Sequence, residues 1–335
     1  MKRAWGHLLG RVSLSCFLQW RANTLLIRYI PRSVGRLYLS LLGRVYFFFN
    51  RREKNQIQTN LSSVVRRLPT KVVLDQTIQR TFKGIIAHYY EKLFIAYVHF
   101  GKVCNFLQKN VRLEGQQLLD EALSKGKGLI LVTGHFGAVE FLPLVLALKG
   151  YAVTMVVRFK TERLKRALMH RTQYVPITLL DANNGERVLF KALKALKANQ
   201  ILITECDEFD SWRPHRYRQA KFLGCSCPLD RTLEMLQRRY DSPVLMGLVQ
   251  REGRDSFGLQ IHSLIGGRHD PEIVSVSQGA LQLLQQYICL FPEQWYQWKQ
   301  VRTALGNQIF EETRPIHVAE EDSSLSLADR AMHAY

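Results

Sequence analysis

The sequence predicts an α/β protein: an open, mostly parallel sheet flanked by helices, preceded by an amphipathic helical region. Three observations carry that expectation. From about residue 112 onward, short apolar runs alternate with segments of helical spacing. Glycine-containing turns bound several of those runs, as they bound buried parallel strands. Before residue 110 the helical pattern stands alone.

Taken in order, residues 1–50 are rich in Leu, Phe, Tyr and Trp, but Arg11, Arg21, Arg28, Arg32, Arg36 and Arg44 cut every run short. No stretch approaches the about 18–20 uncharged residues that span a bilayer. No small-residue cleavage site follows the apolar run 12–20, so a signal peptide is not expected either. Ten Lys or Arg fall between positions 2 and 52 among these apolar residues. That interleaving fits a helix lying in a membrane interface, arginine stems buried and heads among phosphates. The competing expectation is an amphipathic helix packed on the core. Residues 53–110 read as helical, with Ile78, Phe82, Ile85, Ile86 and Tyr89 on one face.

From residue 112 the chain predicts a helix, a Gly-bounded turn, an apolar strand Leu129–Thr133, a Gly-rich turn, a helix and a strand at 152–157. A basic helix at 161–173, a short strand in "VPITLLD", a helix at 186–198 and a buried strand in "QILITECD" follow. The stretch 208–230 reads as irregular. A helix Arg231–Tyr240, strands at 243–249 and 257–262, and a last helix at 271–290 complete the alternation. The expected division is a helical membrane-association region at 1–110, an α/β domain at 111–310, and a frayed acidic tail at 311–335.

Hydrophobic residues make up 47% of the 335 residues, enough for a sizeable core and too many for wholesale disorder. The 47 Lys and Arg against 28 Asp and Glu give a formal charge of +19. Such an excess suits nucleic acid, an anionic membrane or a phosphorylated substrate, and says nothing of fold. Six cysteines carry neither a CxxC pair nor zinc spacing, so reduced structural thiols are expected. His170, His215, His262 and His269 show no metal-ligand spacing, and no cofactor is expected.

In open α/β sheets, ligands sit outside the carboxyl ends of strands. One turn there offers a reactive pair, Thr133-Gly134-His135-Phe136-Gly137-Ala138-Val139-Glu140. Positions five apart on a regular helix face different ways. His135 and Glu140 meet only if the histidine lies in the turn and the glutamate on the following first helical turn. A carboxylate on one imidazole nitrogen fixes the tautomer and makes the other a general base for an alcohol proton. A glutamate there also stabilises a helix amino terminus with no catalytic role.

The turn matches the His, four residues, Asp/Glu signature of the glycerolipid-type acyltransferases, and "GKGLILVTGHFGAVE" resembles the bacterial lauroyl/myristoyl branch that completes lipid A, with its mycobacterial phosphatidylinositol-mannoside relatives. The resemblance runs almost the whole length. It extends through "RLEGQQLLDEAL", Arg158 after the next strand, Arg171 in the following helix, "KFLG" at 221–224 and "FPEQWYQWKQVRT" at 291–303. The basic amino terminus, ending in Asn60-Leu61, looks like the family's membrane anchor.

The resemblance implies that His135 deprotonates an acceptor hydroxyl and that Glu140 orients it. It also implies an acyl thioester donor on acyl carrier protein or coenzyme A, a polar-lipid acceptor, and a peripheral or monotopic place on the cytoplasmic face of a bacterial inner membrane. Arg158 and Arg171 would hold a phosphate of acceptor or donor, and Gly137 would let substrate approach. Departures are Ala138-Val139 in place of Asn-Trp, and Glu205-Cys206-Asp207-Glu208 in place of Asp-Gln. Asp207 reads equally as a partner of His135 or an arginine, or as a solvated strand-end acid.

Two further readings compete. A non-catalytic basic protein binding anionic lipid or nucleic acid explains the charge but not the His–Glu turn. With an acyltransferase core, the basic-aromatic run 212–218 suits a membrane interface better than nucleic acid, which is not expected as a partner. A phosphate-binding nucleotide enzyme is disfavoured because the turn has neither GxGxxG nor Walker spacing.

Overall fold

The protein is described here from a computed structural model that covers residues 13–66, 73–184, 186–209, 213–264 and 275–301. The tail at 311–335 and the expected start of the last helix lie outside these residues. The helical pattern before residue 110 forms α1 (Leu14–Leu18), α2 (Arg21–Tyr29), α3 (Arg32–Phe49), α4 (Arg51–Val65), α5 (Leu74–Tyr97) and α6 (Phe100–Asn110). Ile30 sits extended before Pro31, with ψ at 153°, and so ends α2.

These helices pack on the body of the protein and also present apolar surface. On α3, Leu39, Tyr46 and Phe47 face inward and are buried, while Val34, Leu37, Leu41, Val45 and Phe48 are exposed. The two stripes lie on opposite sides of one helix. Among the described residues, no helix is long and apolar enough to cross a membrane.

After α6 come β1 (Val111–Glu114), α7 (Gln116–Ser124), β2 (Leu129–Thr133), α8 (Leu142–Leu148), β3 (Val153–Val157), α9 (Glu162–Arg171), β4 (Ile177–Asp181), α10 (Glu186–Lys197) and β5 (Ile201–Glu205). The chain continues through β6 (Pro214–Phe222), β7 (Cys225–Asp230), α11 (Arg231–Tyr240), β8 (Val244–Arg251), β9 (Phe257–Ser263) and α12 (Val276–Leu290). Seven strands form one sheet in the order β1-β9-β8-β2-β5-β3-β4, parallel at every pair except β8–β9. β2 lies centrally and is buried at all five positions, which is why it reads as an uninterrupted apolar run.

Two sequence expectations need correction. The segment taken as helical from 112 begins with strand β1, and Gly115 in the left-handed region, φ 77°, separates it from α7. The stretch taken as irregular holds an antiparallel hairpin, β6–β7, with Phe222 opposite Cys225. Its two-residue loop, Leu223-Gly224, has φ of 52° and 79°, the positive values that match a hairpin's twist. Along β7, Cys225, Cys227 and Leu229 turn inward in alternation.

Helix α5 joins the helical layer to the sheet. A Cβ at Gly84 would lie 2.2 Å from the Glu293 carbonyl, so the helix packs backbone to backbone on the turn Pro292–Gln294. About two turns further on, Glu91 takes Arg251 at the end of β8 in a bidentate pair of 2.7 and 2.8 Å. Both side chains are almost withdrawn from solvent, 5% and 13% exposed. Breaking a buried pair from one side leaves an uncompensated charge, so Glu91→Ala should destabilise the fold by about 3–5 kcal/mol. Chemical denaturation of the two proteins measures that difference, and a change below 1 kcal/mol would remove the pair's assigned role.

Candidate active site

The site grows from the carboxyl ends of β2, β3 and β5. Beyond Thr133, the turn at 134–138 is held on three sides. The Gly137 N–H donates to the Gln294 carbonyl at 2.9 Å and the Ala138 N–H to the Val249 carbonyl at 2.8 Å. The Arg251 guanidinium, already on Glu91, donates to the Gly137 carbonyl at 2.6 Å. Gly137 adopts φ 57°, and a Cβ there would fall 1.8 Å from the Val249 oxygen, so no other residue fits. Expected from the sequence as a substrate contact, Gly137 has both backbone polar groups engaged within the fold.

This clamp fixes His135. Its carbonyl accepts from the Tyr296 N–H at 3.2 Å, and the Tyr296 ring meets the imidazole edge to face with centroids 5.3 Å apart. Asp207, just past β5, holds the histidine twice. The backbone N–H of His135 donates to its carboxylate at 2.9 Å, and Nδ1 lies 2.9 Å from Oδ1. The Trp295 indole N–H donates to the other carboxylate oxygen at 2.8 Å. Asp207 is fully buried, so it has no exchange with water to loosen this set.

The opposite nitrogen, Nε2, faces two more acids: Glu208 at 3.0 Å and Glu205 at 3.7 Å. Burial alone would depress the imidazole, but Glu205, Asp207 and Glu208 outweigh it and raise His135 well above the usual histidine value. Burial, reinforced by Glu208 and Asp207, pushes the Glu205 carboxyl up to about 7, although His135 opposes it. Burial would raise Glu208 too, yet its bond to His135 and the charges of Arg158 and Lys160 bring it below the ordinary glutamate value. The free site is therefore an imidazolium held between carboxylates.

The orienting partner of His135 is thus Asp207, where the spacing and the resemblance pointed to Glu140. The residues after Ala138 form a short 3-10 turn, Val139–Phe141, before α8 begins at Leu142. That turn delivers Glu140 to α5, where Lys92 Nζ lies 2.8 Å and His88 Nε2 3.6 Å from Oε1. Burial, with Lys92, Arg251 and His135 nearby, holds His88 well below the usual histidine value, so it stays neutral. His88 stacks on Tyr296 at 3.7 Å, an interplanar angle of 14°. His135 and Glu140 stand on either side of this stack.

A cavity of about 490 Å³ opens over the site. His135, Glu140, Lys92, Glu205, Glu208, Arg158 and Arg171 all line it. The two arginines differ in what they can still do. Arg171 donates to the carbonyls of Ala96 and Val98 at the carboxyl end of α5, so it serves first as a helix cap. Arg158 follows β3 directly, is exposed, and acts electrostatically on Glu208. Asp207, by contrast, lies behind the imidazole and does not line the cavity.

Single ligand atoms of His135, Glu205 and Glu208 fall within 4.8 Å of one another, close enough for one divalent cation. The same three groups already form an ion-pair cluster, and an imidazole freed on Nε2 is what base chemistry at an alcohol requires. Sequence reasoning overlooked Glu205, Glu208, Lys92 and Tyr296. The departures at 205–208 were the visible signal for the first two.

A sequence profile described as bacterial lipid A biosynthesis acyltransferase matches residues 13–302 of the chain. No curated protein matches it.

Two predictions follow from the geometry around the imidazole. Asp207→Asn keeps the shape but removes the charge that fixes the tautomer, and should lower the rate of the chemical step by about four orders of magnitude; single-turnover kinetics measures it. Because a base must be neutral to act, kcat/KM should rise with pH along a limb lying above the usual histidine value. Glu208→Gln removes one of the carboxylates that raise His135 and should move that limb to lower pH, and an unchanged limb would contradict the assignment.

Proposed function

The chain belongs to the bacterial lipid A biosynthesis acyltransferase family, and from that premise we propose how its residues perform the reaction. It is an O-acyltransferase acting on lipid. The donor is an acyl thioester, on acyl carrier protein or coenzyme A, and the acceptor is a polar-lipid hydroxyl. The observation that carries the reading is His135, fixed on Nδ1 by Asp207 and meeting Glu208 on Nε2 at the wall of the cavity.

The acceptor hydroxyl takes the place of Glu208 on Nε2, and Glu208 turns toward Arg158 and Lys160, whose charges already act on it. Once the imidazolium has given its Nε2 proton to solvent, the hydroxyl gives its own proton to the neutral Nε2 as its oxygen attacks the thioester carbonyl. The tetrahedral intermediate collapses, the C–S bond breaks, and the imidazolium returns the proton to the departing thiolate. A thioester is electrophilic enough that a base and oxyanion stabilisation suffice without a covalent enzyme intermediate.

The backbone N–H groups of His135, Gly137 and Ala138 are all engaged inside the fold. The developing oxyanion therefore falls to a side chain, and Lys92 is placed for it. Burial alone would lower this amine, but Glu140 raises it, and it lines the cavity with Glu140 beside it. Glu140 then acts by holding Lys92 charged, and not by touching the base.

The cavity wall divides by element. Met155, Val157, Leu164, Leu168, Ile177 and Leu179, from β3, α9 and β4, make an apolar side suited to the fatty chain. Arg158 and Lys160 stand at its rim and suit the phosphate of a pantetheine arm.

Membrane attachment rests on the exposed stripe of α3, continued by Leu25, Leu26 and Tyr29 of α2. Exposed Arg21, Arg28, Arg44, Arg51 and Arg52 accompany it. This combination suits the cytoplasmic face of an anionic inner membrane, with the protein peripheral or monotopic. One side of these helices packs on the core, and the exposed side is the one this reading gives to lipid.

The deciding experiment incubates the purified protein with long-chain acyl-carrier protein or acyl-coenzyme A, with and without a total lipid extract. Thiol release that needs lipid, and that falls by about two orders of magnitude or more in His135→Ala, supports the reading. Release from no donor in any extract would overturn it. Separately, replacing Leu37 and Leu41 by Glu should release the protein from anionic vesicles in flotation. Each buried leucine contributes roughly 1.5–3 kcal/mol, so two together shift partitioning by about two orders of magnitude or more; unchanged flotation would place the attachment elsewhere.

A further inference from the structure

We infer that the Tyr296 hydroxyl is a second donor to the oxyanion, acting beside Lys92 on the carbonyl oxygen of the thioester. The inference rests on the acyl-transfer reading above and adds a catalytic residue to that same site.

The Tyr296 side-chain oxygen is buried and, among the described residues, has no hydrogen-bond partner. Buried side-chain polar atoms are paired in the large majority of cases, so one left over calls for an explanation. The carboxylates whose charges reach it are engaged elsewhere. Glu140 holds Lys92 at 2.8 Å, and Asp207 holds both His135 and the Trp295 indole. Glu205 faces Nε2 of His135 at 3.7 Å.

The ring is not free to turn toward another acceptor. His88 stacks on it at 3.7 Å, and His135 meets it edge to face at 5.3 Å. Its own backbone N–H is tied to the His135 carbonyl at 3.2 Å. Trp295 before it and Trp298 after it are fully buried. The hydroxyl is therefore held in a fixed relation to the base, which is what preorganisation of a donor requires.

The proton stays on the oxygen. Burial pushes the Tyr296 hydroxyl well above the usual tyrosine value, and Glu140, Glu205 and Asp207 add to that push against Arg251. A phenol in this state gives a hydrogen bond and does not serve as a base. Tyr296 lines the cavity together with His135 and Lys92. Lys92 also stands one turn along α5 from His88, so His88 is the neighbour common to the phenol and the ammonium group.

The thioester supplies the acceptor at the moment of reaction. As the attacking oxygen bonds to the carbonyl carbon, the C=O π pair moves onto the carbonyl oxygen, and Tyr296 and Lys92 donate to that charge. On collapse the C=O bond re-forms, the C–S bond breaks, and the thiolate takes its proton from His135. Tyr296 keeps its own proton throughout. A donor with no bond to give up first spends its full strength on the transition state, whereas the Lys92 ammonium is shared with Glu140.

The test uses the full chain, an acyl-carrier-protein donor and a total lipid extract, with ester formation followed in a single turnover. Tyr296→Phe keeps both ring contacts and removes only the donor. It should lower the single-turnover rate by about two to three orders of magnitude, with the KM for the donor and the His135 limb of the pH profile unchanged. Difluorotyrosine at position 296 keeps the shape and makes the hydroxyl a stronger donor, and it serves where Tyr296→Phe does not fold. It should raise the rate by about twofold or more. A loss below about threefold in folded Tyr296→Phe overturns this inference and leaves acyl transfer standing. So does an unchanged rate with difluorotyrosine, or a loss that moves the pH limb with it, since the ring would then act through His135. Wild type that releases no thiol and forms no ester with any lipid extract overturns the acyl-transfer reading itself, and this inference with it.

Discussion

The Arg251–Glu91 pair is the interaction on which the rest depends. It ties the longest helix of the amino-terminal layer to the end of β8, and its guanidinium reaches on to the carbonyl of Gly137. A bidentate buried pair is rigid because neither partner has water to turn to. The turn carrying His135 is therefore positioned from outside itself. The helices before residue 110 therefore help to build the candidate site, since Glu91 and Lys92 are neighbours on α5 and hold Arg251 and Glu140.

Much of the sheet was legible because its central strands are short apolar runs ending in glycine turns. Leu129–Thr133 needs no knowledge of its neighbours to be recognised as buried. The hairpin β6–β7 was less visible: Lys221 and Ser226 interrupt its apolar pattern, and its turn rests on positive φ at a leucine, which residue preference does not foretell. Strand β1, only four residues long at the sheet edge, gives too short a pattern to separate from the helix after it.

The site shows the same division. His135 was readable from a local motif, strand then glycine then histidine. Its partner was readable only as one of several equal options, because Asp207 is 72 residues away and meets it only through the pairing of β2 with β5. Local spacing favoured Glu140, and a three-residue 3-10 turn was enough to send that side chain to α5 instead. The altered residues at 205–208 marked the right place without saying what they did there.

The crowding of Glu205, Asp207 and Glu208 around one imidazole has a consequence for how the molecule evolves. Three acids drawn together repel one another in the folded chain and not in the unfolded one, and the one imidazole they share is the charge that all three face. The fold is locally frustrated there: residues chosen for stability alone would be apolar or amide at one or more of these places. Substitutions that make the protein hardier should therefore collect at this cluster when selection for activity is relaxed, while the clamp around Gly137 stays fixed, because there the demands of folding and of chemistry coincide.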